Sequence, residues 1–372
     1  MSTYGQPVNA SQLRRILEHV FGRNNTLQEK GMRATPVLIW GSHGLGKTQS
    51  VMEYARDKKW KVAYCAPAQF EEMGDLHGMP TIMDPDQTIS GDEYTVYSPP
   101  EWVPKEEGPG ILLLDDINRA DDRMLRGIMQ LLQNFEMLSW KLPPKWQIVA
   151  TANPDNGEYS VTPMDDAMLT RLLHVTLVFE PRIWAEWAQA SGVDPRGIDF
   201  ILTYPEIVTG RRTTPRSLVQ FFDQVSHITD LKSDADLVLA LAKSALDDTT
   251  VNAFMSFIQD DLSRLMAPED ILSADDFKAV KNAMEDIGKG KSGETRLDRI
   301  STICTRLFLY LKDKGYKPAE GHQKNLVEFL LLDVIPNDLK MSLYMDINRD
   351  CSEEVKYMLK DKRLAKLLLG GL

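Results

Sequence analysis

The stretch Val37-Leu38-Ile39-Trp40-Gly41-Ser42-His43-Gly44-Leu45-Gly46-Lys47-Thr48 decides the fold. Its second part fits the phosphate-loop pattern G-x-x-x-x-G-K-[ST]. Its first part, Val37–Trp40, reads as a buried strand, and residues 49 to 58 after it read as a helix. In that setting the glycines let backbone N–H groups curl around phosphate oxygens, and the helix N-terminus adds its positive end. Gly41, Ser42, His43, Gly44, Leu45, Gly46, Lys47, Thr48 and Gln49 are therefore the expected nucleotide cradle. Lys47 would reach the β- and γ-phosphates, and the Thr48 hydroxyl would hold Mg²⁺.

Further apolar runs follow at Val62–Cys65, Ile111–Leu114, Ile148–Thr151 and Val175–Phe179. They are too short for helices and mostly lack alternation, as strands buried on both faces do. Helical stretches lie between several of them; in Asp122–Phe135, residues Leu125, Ile128, Met129 and Leu132 share one face. Alternation of this kind predicts a five-stranded parallel sheet with helices on both sides. Asn9 with Gln12 fits a capping box for a first helix whose Leu13, Ile16, Leu17 and Val20 face inward. After Pro181 helical periodicity dominates. The expected organisation is an α/β nucleotide-binding domain over 1–181, an all-helical lid over 182–290 and a helical C-terminal region over 291–372. The last boundary falls in Gly288–Gly293, a glycine-rich break. Its Gly290-Lys291-Ser292 imitates a phosphate loop but has Glu285 where glycine is needed and no strand before it.

Leu112-Leu113-Leu114-Asp115-Asp116 places two acids at the C-terminal end of a strand, the Walker B arrangement, where ligands of open parallel sheets sit. Asp115 would bind Mg²⁺ and Asp116 would orient the attacking water. Asn153, ending the next strand, would hydrogen-bond that water or the γ-phosphate. Arg171 closes a short capped helix, Asp165–Arg171. A cation suits a helix C-terminus, but the same guanidinium could serve a neighbouring subunit's γ-phosphate as an arginine finger. Arg119 is a weaker candidate for such an interface. Thr214 and Pro215 fit the start of a helix, which puts Arg216 in a first turn where the macrodipole disfavours a cation. A bound phosphate would make that contact favourable, so Arg216 is the expected lid residue on the nucleotide.

Composition narrows the class. The chain has 372 residues, 43% hydrophobic and 26% charged, with a net charge of −11. Such a balance as a whole repels nucleic acid and anionic lipid, although a local basic pore stays open. No apolar run reaches membrane-spanning length. The three cysteines are scattered and odd in number, which argues against a disulfide framework or zinc cluster and for a cytoplasmic setting. His19, His77, His174, His227 and His322 show no metal-ligand spacing.

Taken together, these residues resemble the AAA+ ATPases, and within them the MoxR-like group. The resemblance runs from Pro36 to Leu218. It is carried by PVLIWGSHGLGKT, DLHGMP (Asp75–Pro80), YSPPEWVP (Tyr97–Pro104), GILLLDDINRA, IVATANP, PMDDAMLTRL and TTPRSL. DLHGMP and SPPEWVP look like the members that pair with von Willebrand factor A domain proteins. The resemblance implies an ATP hydrolase using Mg²⁺ in a homo-oligomeric ring or spiral, commonly of six, with nucleotide at each subunit boundary. It also implies a chaperone-like role in remodelling or maturing a partner protein, in some cases by metal insertion. The alternative is a nucleic-acid motor or loader. One departure stands out: the family's usual glutamate after the Walker B aspartate is Asp116 here, one methylene shorter. That opens a third reading, a nucleotide-gated scaffold that turns over slowly. Residues 74–101, rich in Pro, Gly and Asp, are expected to form a long loop or insertion. This segment, Met137–Trp146, or both, are the expected client-facing parts, with Trp140, Lys141 and Trp146 as surface candidates or, alternatively, a packed aromatic hairpin.

Overall fold

The structure is a computed structural model that describes residues 4–83, 94–155, 160–209, 212–259, 265–289, 296–313 and 315–364. Contacts divide the chain into two compact units, Met1–Phe179 and Glu180–Leu372.

The first unit opens with β1 (Gln6–Val8) and α1 (Ala10–Glu29), continues through β2 (Val37–Trp40) and α2 (Lys47–Lys58), and reaches β3 (Lys61–Cys65) and α3 (Met73–His77). The ribbon β4 (Met79–Met83) with β5 (Tyr94–Ser98) precedes β6 (Gly110–Leu114) and α4 (Asp122–Asn134). A small hairpin, β7 (Glu136–Met137) and β8 (Trp140–Lys141), leads to β9 (Trp146–Ala152), α5 (Asp166–Leu169) and β10 (Leu173–Leu177). The main sheet has the order β1-β10-β2-β9-β6-β3, every neighbouring pair parallel. All five expected strands are present, and the sheet has a sixth. The extra strand, β1, is three residues long and contains Pro7, so it carries little sequence signal. Proline is tolerated there because the strand lies at the sheet edge.

The strands are apolar on both faces because helices cover both. Ile111, Leu113, Val37, Ile39 and Val149 pack with α1 and α2, through Leu13, Leu17, Val51 and Tyr54. Leu112, Leu114, Leu38, Ile148 and Ala150 pack with α4, through Leu125, Ile128 and Leu132. Asn9 accepts from Gln12 N at 2.9 Å, and the Gln12 side chain accepts from Asn9 N at 3.0 Å, so the expected capping box is formed. β9 is buried throughout and still carries Gln147, whose amide oxygen accepts from Asn24 Nδ2 at 2.9 Å. Residues 74–101 are an insertion, as expected, but their described parts form α3 and an antiparallel ribbon instead of loop. The ribbon's root is tight: at Gly78, φ is +87° and a Cβ would stand 1.8 Å from the Ser98 carbonyl oxygen.

The second unit is helical: α6 (Pro181–Ala190), α7 (Pro195–Thr203), α8 (Pro215–Val225), α9 (Ala235–Ala245), α10 (Asp248–Gln259) and α11 (Pro268–Leu272), then α12 (Phe277–Gly288), α13 (Leu297–Lys312), α14 (His322–Leu330), α15 (Asn337–Asp350) and α16 (Glu353–Met358). Phe200, Phe221, Phe222, Phe254 and Phe257 form its aromatic centre, with Phe200 and Phe254 edge-on at 5.0 Å between centroids. The glycine-rich break lies outside the described residues from 290 to 293. A buried ion pair joins the helix after the break to α7, well before it. Arg306 on α13 donates from Nη1 to Asp199 Oδ2 on α7 at 3.1 Å, with Nε 3.1 Å from Oδ1. Burial pushes the Asp199 carboxyl up to about 7 against the pull of Arg306, with Asp194 adding to the rise.

Removing one partner of a buried pair leaves the other charge uncompensated, so Arg306→Ala is expected to destabilise the second unit by about 3–5 kcal/mol in urea denaturation. The sign with pH follows from linkage. Without Arg306 the folded Asp199 holds its proton more tightly than the unfolded chain does, so stability falls as pH rises above the ordinary aspartate range. The loss in the variant should therefore be smaller at about pH 5 than at about pH 8, and an equal loss at both would overturn this account.

Candidate nucleotide-binding site

The loop after β2 turns twice through left-handed backbone, at Gly44 with φ +73° and at Gly46 with φ +90°. Side chains strain there, which is why the pattern needs glycine at Gly46 and why glycine suits the variable position of Gly44. Gly46 is also the N-cap of α2 and offers no side chain to its first turn. The helix end is thus shaped for an anionic ligand. Lys47, the first residue of α2, is 6% exposed. A buried ammonium needs oxygens around it. Its Nζ donates to Gly41 O at 2.8 Å, Ser42 O at 3.2 Å and Asn153 Oδ1 at 3.1 Å.

Parallel register places the ends of β2, β6 and β9 side by side, and the polar residues that follow them converge. Thr48 donates to Asp115 Oδ1 at 2.7 Å. Two hard oxygen donors at this separation suit Mg²⁺, which takes oxygen ligands from one or two side chains and completes its shell from phosphate and water. Asn153 is fully buried; its Nδ2 donates to Asp116 Oδ1 at 3.0 Å while its Oδ1 receives Lys47. Asp116 stands in left-handed backbone, φ 49° and ψ 48°. A non-glycine residue there costs about 1–3 kcal/mol and persists only where neighbours enforce it. Asp116 also pairs with Arg119, whose Nε lies 3.2 Å from Oδ2.

Lys47, Thr48, Asp115, Asp116 and Asn153 are thus brought together within the first unit. Arg171 is turned elsewhere on that unit: Nε donates to Gln133 Oε1 at 3.0 Å and Nη1 donates to Ala167 O. Its helix is capped as expected, Asp165 accepting from Met168 N at 2.8 Å. Arg216 belongs to the second unit. Thr214 caps α8, accepting from Ser217 N at 3.2 Å, Pro215 is the first helical residue, and Arg216 is exposed in the first turn.

Three residues of the cluster escaped sequence reasoning. Thr151, buried in β9, donates to Asp115 Oδ1 at 2.6 Å and accepts from Asp116 N at 2.8 Å, so one hydroxyl sets both acids. Asn118 grips the Asn153 backbone from both sides, donating to its O at 2.8 Å and accepting from its N at 3.1 Å. Tyr64, on β3, donates to Asp115 Oδ2 at 3.0 Å. Burial and the neighbouring carboxylate push its phenol up to about 12, so the donor proton is present at neutral pH. The signal for Thr151 was its position: a hydroxyl inside a buried apolar strand needs a partner.

Thr151→Val keeps the shape and deletes the hydroxyl, leaving Asp116 N–H unpaired. The expected cost is about 1–3 kcal/mol in thermal or urea unfolding. A roughly tenfold or greater loss of ATP turnover should accompany it, because the orientation of both acids goes with the hydroxyl. Unchanged turnover in a folded variant would show that Thr151 does not set the acids.

Comparison with known proteins agrees with this geometry. Residues 36–172 match the family model described as AAA domain (dynein-related subfamily). No curated protein matches the chain. Among solved structures, the RuvB Holliday junction branch migration motor of Thermotoga maritima aligns over 96% of this chain and 94% of its own at 14% identity and a TM-score of 0.38. A second Thermotoga maritima RuvB structure, of a variant protein, aligns over 71% and 80% at 14% identity and 0.40. A Cytophaga hutchinsonii ATCC 33406 protein described as an ATPase aligns over 96% and 88% at 13% and 0.30. These likenesses are too distant to carry function across. The family match and the convergence of phosphate loop, paired acids and buried asparagine identify residues 36–172 as an AAA+ ATPase domain of the P-loop class, an ATP hydrolase.

Proposed function

We propose that the chain is a MoxR-like AAA+ ATPase that works in a homo-oligomeric ring or spiral, commonly of six subunits, and remodels or matures a partner protein. The observation that carries the partner is the β4–β5 ribbon. Met79, Ile82, Met83 and Tyr94 are exposed on it, and Leu138 on the adjoining hairpin is exposed as well. Apolar side chains gathered on one projecting element mark an interaction surface. They suit a protein client better than a nucleic acid, which would call for basic side chains.

The ribbon grows from the two stretches that carry the finer resemblance: Asp75–Pro80 leads into β4 and Tyr97–Pro104 leads out of β5. Indole groups fix this root, Trp102 Nε1 donating to Asp75 O and Trp140 Nε1 to His77 O, both at 3.0 Å. Tyr97 N donates to Ser139 Oγ at 3.0 Å and ties ribbon to hairpin. The expectation that Trp140 and Trp146 face a client is corrected: both are buried, and the packed aromatic arrangement holds. Lys141 is exposed, paired with Glu136 at 2.8 Å. A von Willebrand factor A domain protein is the partner class we favour.

In this reading Lys47 and the α2 N-terminus bind the triphosphate, Thr48 and Asp115 hold Mg²⁺, and Asp116 with Asn153 orients the lytic water. The metal, when bound, neutralises charge on the phosphates. Arg171 acts across a subunit boundary, and Arg216 acts from the lid. Residues 182–290 serve as that lid and 291–372 as a helical C-terminal region. Asp116 is held at Oδ1 by Asn153 and at Oδ2 by Arg119, contacts that fix the direction of its carboxylate and leave lone pairs on both oxygens.

Two experiments test the proposal. Lys47→Ala should abolish turnover, and Asp116→Asn should retain ATP and hold the client on the assembly; absence of any trapped partner argues against remodelling. A ribbon variant carrying Met79→Ser, Ile82→Ser and Met83→Ser should keep basal turnover and lose stimulation by the partner, read as ATP hydrolysis with and without it. Stimulation equal to that of the parent would place the docking surface elsewhere.

A further inference from the structure

We propose that Tyr64 is a positioning residue for the divalent cation, fixing the Asp115 carboxylate so that one oxygen faces Thr48 and the metal. The inference rests on the reading of Asp115 as the metal carboxylate. Tyr64 lies on β3, at the edge of the sheet, in register with Leu113 of β6. Parallel partners share a face, so Tyr64 projects on the α2 side. Asp115 follows β6 by one residue and is met from that side by Thr48 on α2.

The carboxylate has two oxygens with separate partners. Oδ1 receives Thr48 at 2.7 Å and Thr151 at 2.6 Å. Oδ2 receives Tyr64 at 3.0 Å. Without the phenol, Oδ2 loses its protein donor and the carboxylate plane can tilt about its last bond. With it, both oxygens are tied and the plane keeps one oxygen toward Thr48. Packing gives no comparable reason for an aromatic here, because Tyr64 is 45% exposed. Among the described residues its hydroxyl has this one hydrogen-bond partner, and that partner belongs to the site. Outer partners of a metal carboxylate act by orienting it, and their loss weakens metal binding without removing a ligand.

The test uses the full chain and a fluorescent ADP analogue, with affinity measured in EDTA and across a magnesium titration. Tyr64→Phe keeps the ring and deletes the hydroxyl. The affinity gain from magnesium should fall roughly tenfold, while affinity in EDTA stays within about twofold of the parent. Asp115→Asn, measured in parallel, should lose most of the magnesium gain. If Tyr64→Phe retains the full gain while Asp115→Asn loses it, the positioning role is wrong and the Asp115 reading stands. If both retain it, the Asp115 reading fails and takes the proposal with it. If Tyr64→Phe weakens binding by the same factor in EDTA and in magnesium, the phenol shapes the pocket instead of the metal site, which also overturns the proposal.

Discussion

A buried ammonium organises the first unit. Lys47 cannot lie at the base of the loop unless oxygens surround it, and they come from the loop's own carbonyls and from Asn153 on a different strand. That single requirement ties the turn after β2 to the end of β9. Asn153 passes the constraint on, because its amide nitrogen holds Asp116 and its backbone is gripped by Asn118. The groups that would meet phosphate, metal and water are therefore positioned by contacts with one another. Preorganisation of this kind is what makes electrostatic catalysis effective.

The aspartate that stands in place of the family's usual glutamate has an unusual backbone. Asp116 takes a left-handed conformation that Thr151 supports through the Asp116 N–H. The strain offers one physical route by which a shorter acid is re-aimed toward the cluster. Arg119 meanwhile occupies the other carboxylate oxygen. In the proposed reading, where Asp116 orients the lytic water, movement of Arg119 away from it is the change that would re-aim this acid. The pair is partly exposed and correspondingly weak, which makes such a change energetically small.

Trp102, half-buried, and Trp140, buried, pack at the root of the ribbon, and the surface they support is aliphatic and tyrosyl. Trp102 and Trp140 meet edge-on at 5.8 Å and spend their N–H groups on backbone carbonyls of α3. A two-stranded ribbon alone is marginal in water. The indole-pinned root supplies the support that lets β4 and β5 project with apolar side chains exposed.

What the sequence determined by itself is whatever local chemistry enforces: the glycine loop, the five core strands, the caps at Asn9, Asp165 and Thr214, and the two acids closing β6. Each depends on residues a few positions apart, whose steric and hydrogen-bonding demands are the same in any fold. Tertiary structure decided the rest. β1 is a strand only because β10 lies beside it. Thr151, Asn118 and Tyr64 join the site because parallel register sets the ends of separate strands next to one another; the buried hydroxyl of Thr151 shows that it needs a partner, but no single segment shows which partner any of the three will meet. The inward turn of Trp140 and Trp146, and the outward exposure of Met79 and Ile82, depend on which neighbours supply cover. Burial is a property of the assembled chain, and no short segment contains it.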